Sequence, residues 1–213
     1  MSGFDRVARI YRWLEYVAFG SSLQRARTAH LPALADCRDI LVIGDGDGRA
    51  IAQLAVVAAH ARIHSIDMSD AMLREAAQRL PAAARDRVTF ARADVRTFDP
   101  GHHAWDAVLT MFVLDCLTED EVRRVVTTLA GGLRPGGRWL FADFAIPERG
   151  WRRLRARVWI ACLYWFFRWR ADLAVSRLPA SEAIITAAGF VPVAVDVRQA
   201  GMIRSICYER EGA

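Results

Sequence analysis

The chain has 213 residues, 54% hydrophobic and 25% charged, with a net charge of +5, which is enough for one sizeable core and makes a single domain the default. All 29 basic residues are arginine, so Schiff-base and P-loop lysine chemistry is excluded. Cys37, Cys116, Cys162 and Cys207 are scattered without metal or redox spacing, which predicts reduced thiols in a cytoplasmic protein and no metal site.

Near the N-terminus Phe4, Val7, Tyr11, Leu14 and Ala18 recur at three and four residues, with Asp5, Arg6, Arg9 and Arg12 on other faces. This predicts an amphipathic helix, and its charges argue against a signal peptide. Ile40 to Ile43 then reads as a buried parallel strand that opens into Gly44, Gly46 and Gly48. A helix from Arg49 to about Ala59 points its amide-rich N-terminus at that turn, where negative charge is favoured. A dinucleotide fingerprint requires glycine at the first, third and sixth positions. Counted from Gly44 the sixth residue is Arg49, and from Gly46 it is Ile51, so the fingerprint does not fit.

Ile63 to Asp67 is a second strand that ends in an acid, which suits both hydroxyls of a ribose. A helix with Ser69 or Asp70 as N-cap runs to Leu80 and stops before Pro81. Val88 to Ala93 is a third strand, leading to Asp94 and Val95. His102 and His103 fall in a loop and read as solvated, while His30, His60 and His64 are isolated packing or surface residues. Trp105 to Thr110 is the fourth strand, and Thr118 to Glu121 forms a capping box for the next helix. Leu133-Arg134-Pro135-Gly136-Gly137 is a turn, followed by a fifth strand, Gly136 to Asp143.

Arg149 to Arg157 is arginine-rich and is followed by an uncharged run, Val158 to Phe167. A helix apolar all round must be buried or must touch something apolar, and this run is shorter than the about 20 residues that span a bilayer. Three readings stand: a lid lining an apolar pocket, an interfacial helix on anionic lipid, or a dimer contact. Ser181 to Ala188 is a short helix ended by Gly189. Two strands, Phe190 to Arg198 and Met202 to Arg210, close the chain. Alternating strands and helices predict an α/β layer fold with a mostly parallel sheet.

The Gly-x-Gly-x-Gly loop, the acid at Asp67, the Asp-x-Ser-x-x-Met-Leu wording from Asp67 to Leu73 and the Leu-x-Pro-Gly-Gly turn resemble the class I S-adenosylmethionine (SAM) dependent methyltransferases. Within them, the chain is similar to the ubiquinone/menaquinone-type small-molecule enzymes. The resemblance implies a Rossmann-like seven-stranded, mostly parallel sheet with a C-terminal antiparallel hairpin and helices on both faces. It implies a single methyltransferase domain over 1–213, with an N-terminal helical cap (1–36), a SAM-binding core (37–145), a helical lid (146–180) and a C-terminal helix and hairpin (181–213). Its cofactor residues would be Gly44, Asp45, Gly46, Asp47, Gly48, Asp67, Met68, Asp94 and Val95, with Met68 packing on adenine and Asp94 receiving the adenine amino group.

Two departures from the pattern stand out. Val42 occupies the place of the acid that usually precedes the first glycine. Asp45 and Asp47 are the candidates for its role toward the cofactor's ammonium group, the alternative being that they cap the following helix. Asp115-Cys116 replaces the histidines common in quinone-type relatives, so Asp115 and Asp143 are candidate bases or orienters, or Asp115 simply holds its loop. Tyr11, Phe112, Trp159 and Tyr164 are the candidates for the acceptor pocket and lid.

The expected activity is methyl transfer from SAM, leaving S-adenosylhomocysteine (SAH), to oxygen or carbon of a small apolar acceptor such as a quinone-like, polyketide or lipid-like molecule. The alternatives are a phospholipid methyltransferase at the membrane surface and a SAM-binding partner subunit without activity. The Arg149–Arg157 segment suits a carrier protein or a membrane surface, nucleic acid is not expected, and the protein is expected to be a monomer or homodimer. The segment after the fourth strand, Leu109 to Cys116, lacks the Asn/Asp-Pro-Pro-Tyr of the amino methyltransferases of DNA and glutamine side chains.

Overall fold

The computed structural model describes residues 21–147, 150, 151, 153, 154 and 177–211. Seven strands form one sheet: β1 (Asp39–Ile43), β2 (Arg62–Asp67), β3 (Val88–Arg92), β4 (Trp105–Met111), β5 (Leu133–Phe144), β6 (Phe190–Arg198) and β7 (Ile203–Arg210). Their spatial order is β3-β2-β1-β4-β5-β7-β6. The first five run parallel, and β7 pairs antiparallel with both β5 and β6. This is the expected Rossmann-like sheet with its C-terminal hairpin.

The helices among the described residues are α1 (Ser22–Thr28), α2 (Arg49–Val57), α3 (Asp70–Arg79), α4 (Glu119–Gly132) and α5 (Ser181–Ala187). All five residues of β1 are buried because both faces of the sheet are covered. Ile40 and Val42 pack with Leu31, Leu34 and α2 residues Ile51 and Leu54 on one face. Leu41 and Ile43 pack with Val122, Val125 and Leu129 of α4 and with Ile184 and Ile185 of α5 on the other. The alternation along one strand therefore feeds two cores.

Local chemistry sets the helix ends. The Ser69 hydroxyl accepts the Met72 N–H at 3.4 Å and so caps α3, and Thr118 and Glu121 form the predicted reciprocal box at α4. Gly189 follows α5 with φ +88°. β5 starts earlier than the sequence suggests, since Leu133 already pairs with Trp105 and a register shift between Trp105 and Ala107 absorbs the Pro-Gly-Gly segment. At this N-terminal edge of the parallel strands, Arg134 grips Asp106 at 2.6 Å and Asp39 at 3.0 Å, while Asp106 accepts the backbone N–H groups of Arg38 and Asp39. One arginine thus staples β1, β4 and β5. No helix among the described residues is long and apolar enough to cross a membrane.

Candidate cofactor and acceptor site

β3, β2, β1 and β4 are parallel neighbours, so the loops leaving their C-terminal ends meet along one edge, where open α/β sheets bind ligands. The glycine loop after β1 is shaped by two close approaches and one opening. A Cβ on Gly44 (φ +78°) would lie 1.9 Å from Val113 Cγ2, and one on Gly48 (φ +82°) would lie 2.4 Å from Cα and Cβ of Ala76 in α3. A Cβ on Gly46 (φ +64°) would meet nothing within 4 Å. Gly44 and Gly48 therefore fix the loop against its neighbours, and Gly46 leaves a stretch of bare backbone open to a ligand.

Each carboxylate in the loop has work inside the protein. Asp45 is 3% exposed, and its oxygens accept the Ala50 and Ile51 N–H groups at 3.2 and 2.8 Å, which caps α2. Burial lifts its pKa to about 6, opposed by the Arg27 charge and the two amides. This is the capping alternative left open by the sequence. Asp47 is gripped by Arg49 at 3.0 Å and by Arg79, the last residue of α3, at 3.1 Å, which ties the loop to that helix. Val42, at the position of the missing acid, is fully buried in the core.

Asp67 closes β2 with Oδ1 accepting the Ser69 N–H at 2.8 Å. Burial raises its pKa, and backbone N–H groups of Ser69, Gly46 and Met68 oppose the rise. Met68 beside it is 52% exposed, a thioether standing free at the strand tip. Asp94 carries a feature that the sequence reading missed. Arg96 clasps it through Nε at 3.0 and 2.9 Å and Nη2 at 2.6 Å, reaches Glu121 at 3.4 Å, and holds the Asp94 carboxyl below the usual range. The two-residue spacing between Asp94 and Arg96 was the available signal. Val95 is half-buried against the α4-side core.

At the end of β4, Phe112 adopts a left-handed backbone (φ 56°). Its ring meets Phe144 at 5.2 Å between centroids, and the Arg27 guanidinium lies 4.8 Å over it. α1 covers this corner with Leu23 and Ala26, packed with Met202 and Ile203. Asp115 and Asp143, distant in sequence, are brought into contact, with the Asp115 N–H donating to Asp143 Oδ2 at 3.1 Å. Tyr11, Trp159 and Tyr164, and most of the Arg149–Arg157 segment, lie outside the described residues. Trp151 and Leu154, which are described, are exposed.

The arrangement fits an adenosine cofactor: an open glycine backbone, an acid at the tip of the second strand, and an exposed apolar residue next to it. Residues 40–137 match the family model of a methyltransferase domain. Over that stretch the chain carries a methyltransferase domain, and its sheet has the class I SAM-dependent methyltransferase fold. Among characterised relatives, it is 32% identical over 146 residues to the demethylmenaquinone methyltransferase of Clavibacter sepedonicus, an alignment covering 68% of this chain and 57% of that protein. It is also 32% identical over 111 residues to the aclacinomycin 10-hydroxylase of Streptomyces purpurascens, covering 52% of this chain and 29% of that one. The chain thus spans less than two thirds of the length of either curated relative. In fold it is similar to the 1,6-didemethyltoxoflavin-N1-methyltransferase of Burkholderia thailandensis, solved with that compound and SAH, with TM-score 0.69, 19% identity, and coverage of 98% of this chain and 86% of that one.

Proposed function

We propose that the protein methylates a small, largely apolar acceptor at oxygen or carbon, a quinone-like ring, polyketide or lipid-like molecule. The observation that carries this reading is the Phe112–Phe144 pair at 5.2 Å, set beside the glycine loop and roofed by α1. An aromatic surface at that point favours a flat apolar acceptor, and the relative named demethylmenaquinone methyltransferase supports it. SAM supplies an activated methyl group on its sulfonium. The protein's part is to bind, orient and exclude water, so a strong base is needed only for an acceptor protonated at working pH. Asp67 orients the ribose, Gly46 offers backbone to the methionyl end, and Met68 meets the adenine.

The first test is calorimetric titration with SAH, with NADH for comparison and Asp67→Ala as control, followed by SAM turnover against apolar phenols and quinols. Micromolar SAH binding lost in the variant, no NADH signal, and methylation of a quinol are expected. A second reading is cofactor binding without methyl transfer, motivated by the relative named as a hydroxylase. SAH binding with no methylated product from any acceptor would favour it over ours.

A further inference from the structure

Asp143 stands one residue before the end of β5 and is 2% exposed; Asp115, in the turn Leu114–Cys116, is 6% exposed. Two carboxyl groups in contact away from water do not both ionise, because each charge opposes the other and neither is hydrated. Here the two residues are joined directly. Asp143 Oδ2 accepts the Asp115 N–H at 3.1 Å and Oδ1 accepts the Phe144 N–H at 2.9 Å. Burial raises both carboxyls above their usual range, and the neighbouring Asp115 raises Asp143 further. Two carboxyls confined together in so dry a space retain a proton between them. Arg204, opposite Asp143 in the β5–β7 register, is drawn to Glu182 of α5 at 3.0 Å.

The pair fastens one loop to one strand. Cys116 N–H donates to Val113 O at 3.1 Å, and Phe112 N–H donates to Ala142 O at 2.8 Å while its backbone is held left-handed. Val113, between them, is the residue against which Gly44 packs. A path therefore runs from Asp143 to Asp115, along the chain to Cys116, and through its bond to Val113 to the glycine loop.

We propose that Asp143 is a positioning residue that holds one proton between itself and Asp115, clasping the loop after β4 to β5 and seating Val113 beneath the glycine loop. The proposal rests on the cofactor reading and departs from a general-base role for these acids. The two differ in sign. A base works in its ionised form and gains with rising pH. A clasp that retains a proton above the range where the unfolded chain releases it is strongest at low pH. It weakens as pH rises from the unfolded pKa through the folded one, and then levels off.

The experiment compares wild type, Asp143→Asn, Asp143→Leu and Asp115→Asn by SAH calorimetry and by thermal unfolding without ligand, from about pH 6 to about pH 9.5. Asn at position 143 supplies a neutral donor that does not titrate. Wild-type SAH affinity is expected to fall about tenfold more across the range than that of Asp143→Asn, whose curve reports the titration of the ligand's own ammonium. Asp143→Asn should stay within about threefold of wild type at pH 6, whereas Asp143→Leu binds weakly throughout. The melting temperature of wild type should decline with pH relative to Asp143→Asn. Parallel curves for wild type and Asp143→Asn in both measurements, or wild-type affinity rising with pH relative to the variant, overturn the proposal. Absence of SAH binding with the melting difference intact sinks the cofactor reading and leaves the clasp standing.

Discussion

The two glycines Gly46 and Gly48 offer a sharp separation of stability from binding. In Gly48→Ala the new methyl would sit 2.4 Å from Cα and Cβ of Ala76, where ordinary carbon contacts are about 3.5–4.0 Å. α3 must therefore retreat by more than an ångström, and overpacking of that kind costs about 1–3 kcal/mol. The left-handed φ of +82° adds about 1–2 kcal/mol for a residue with a Cβ. Together about 2–5 kcal/mol is lost from a domain whose whole stability is about 5–15 kcal/mol. At about 2–4 °C per kcal/mol for a chain of this size, the melting temperature falls by roughly 5–20 °C. Gly46→Ala shares only the left-handed term, since nothing lies within 4 Å of its Cβ, so its melting temperature falls by only a few degrees. Its methyl, however, projects into the space left for the ligand. Thermal unfolding and SAH calorimetry on both variants should show Gly48→Ala losing mainly stability and Gly46→Ala losing SAH affinity about tenfold or more. A Gly46→Ala protein that binds SAH like wild type, or a Gly48→Ala protein that melts with wild type, refutes the assignment of these roles.

Thr118→Ala removes the hydroxyl that accepts the Glu121 N–H at α4 and leaves the backbone N–H of residue 118 on the Glu121 carboxylate, so it should cost about 1 kcal/mol in urea unfolding; a loss below about 0.3 kcal/mol contradicts it. Asp45, buried and with its pKa raised to about 6, makes the folded protein hold a proton that the unfolded chain releases. Stability should therefore decline as pH rises from about 4 to about 6 and then level off, and Asp45→Asn should lack that decline. Matching slopes for variant and wild type would show that the carboxyl is not buried as described.

The cofactor half was legible because its signals are local. The run from Ile40 to Ile43 is apolar on both faces, the three glycines follow immediately, and the caps at Ser69 and Thr118 declare themselves within three residues. What the sequence could not show depends on register between distant segments. That Asp115 touches Asp143 follows from how β4 and β5 align, and that Asp45 caps α2 while Asp47 binds α3 depends on the path of the glycine loop. The earlier start of β5 needed the bulge opposite Trp105. Arg96 lies within reach of a local reading, two residues after the acid it binds.

The Arg134 staple has a consequence for how this chain tolerates change. It joins β1, β4 and β5 at the edge away from the ligand loops, through Asp39 and Asp106. Strain on the binding side, such as the left-handed backbone of Phe112, is thus borne by a sheet anchored at its far rim. Variation around the acceptor can accumulate there without loosening the strands beneath, so new substrate preferences are open to the chain at little risk to its ability to fold.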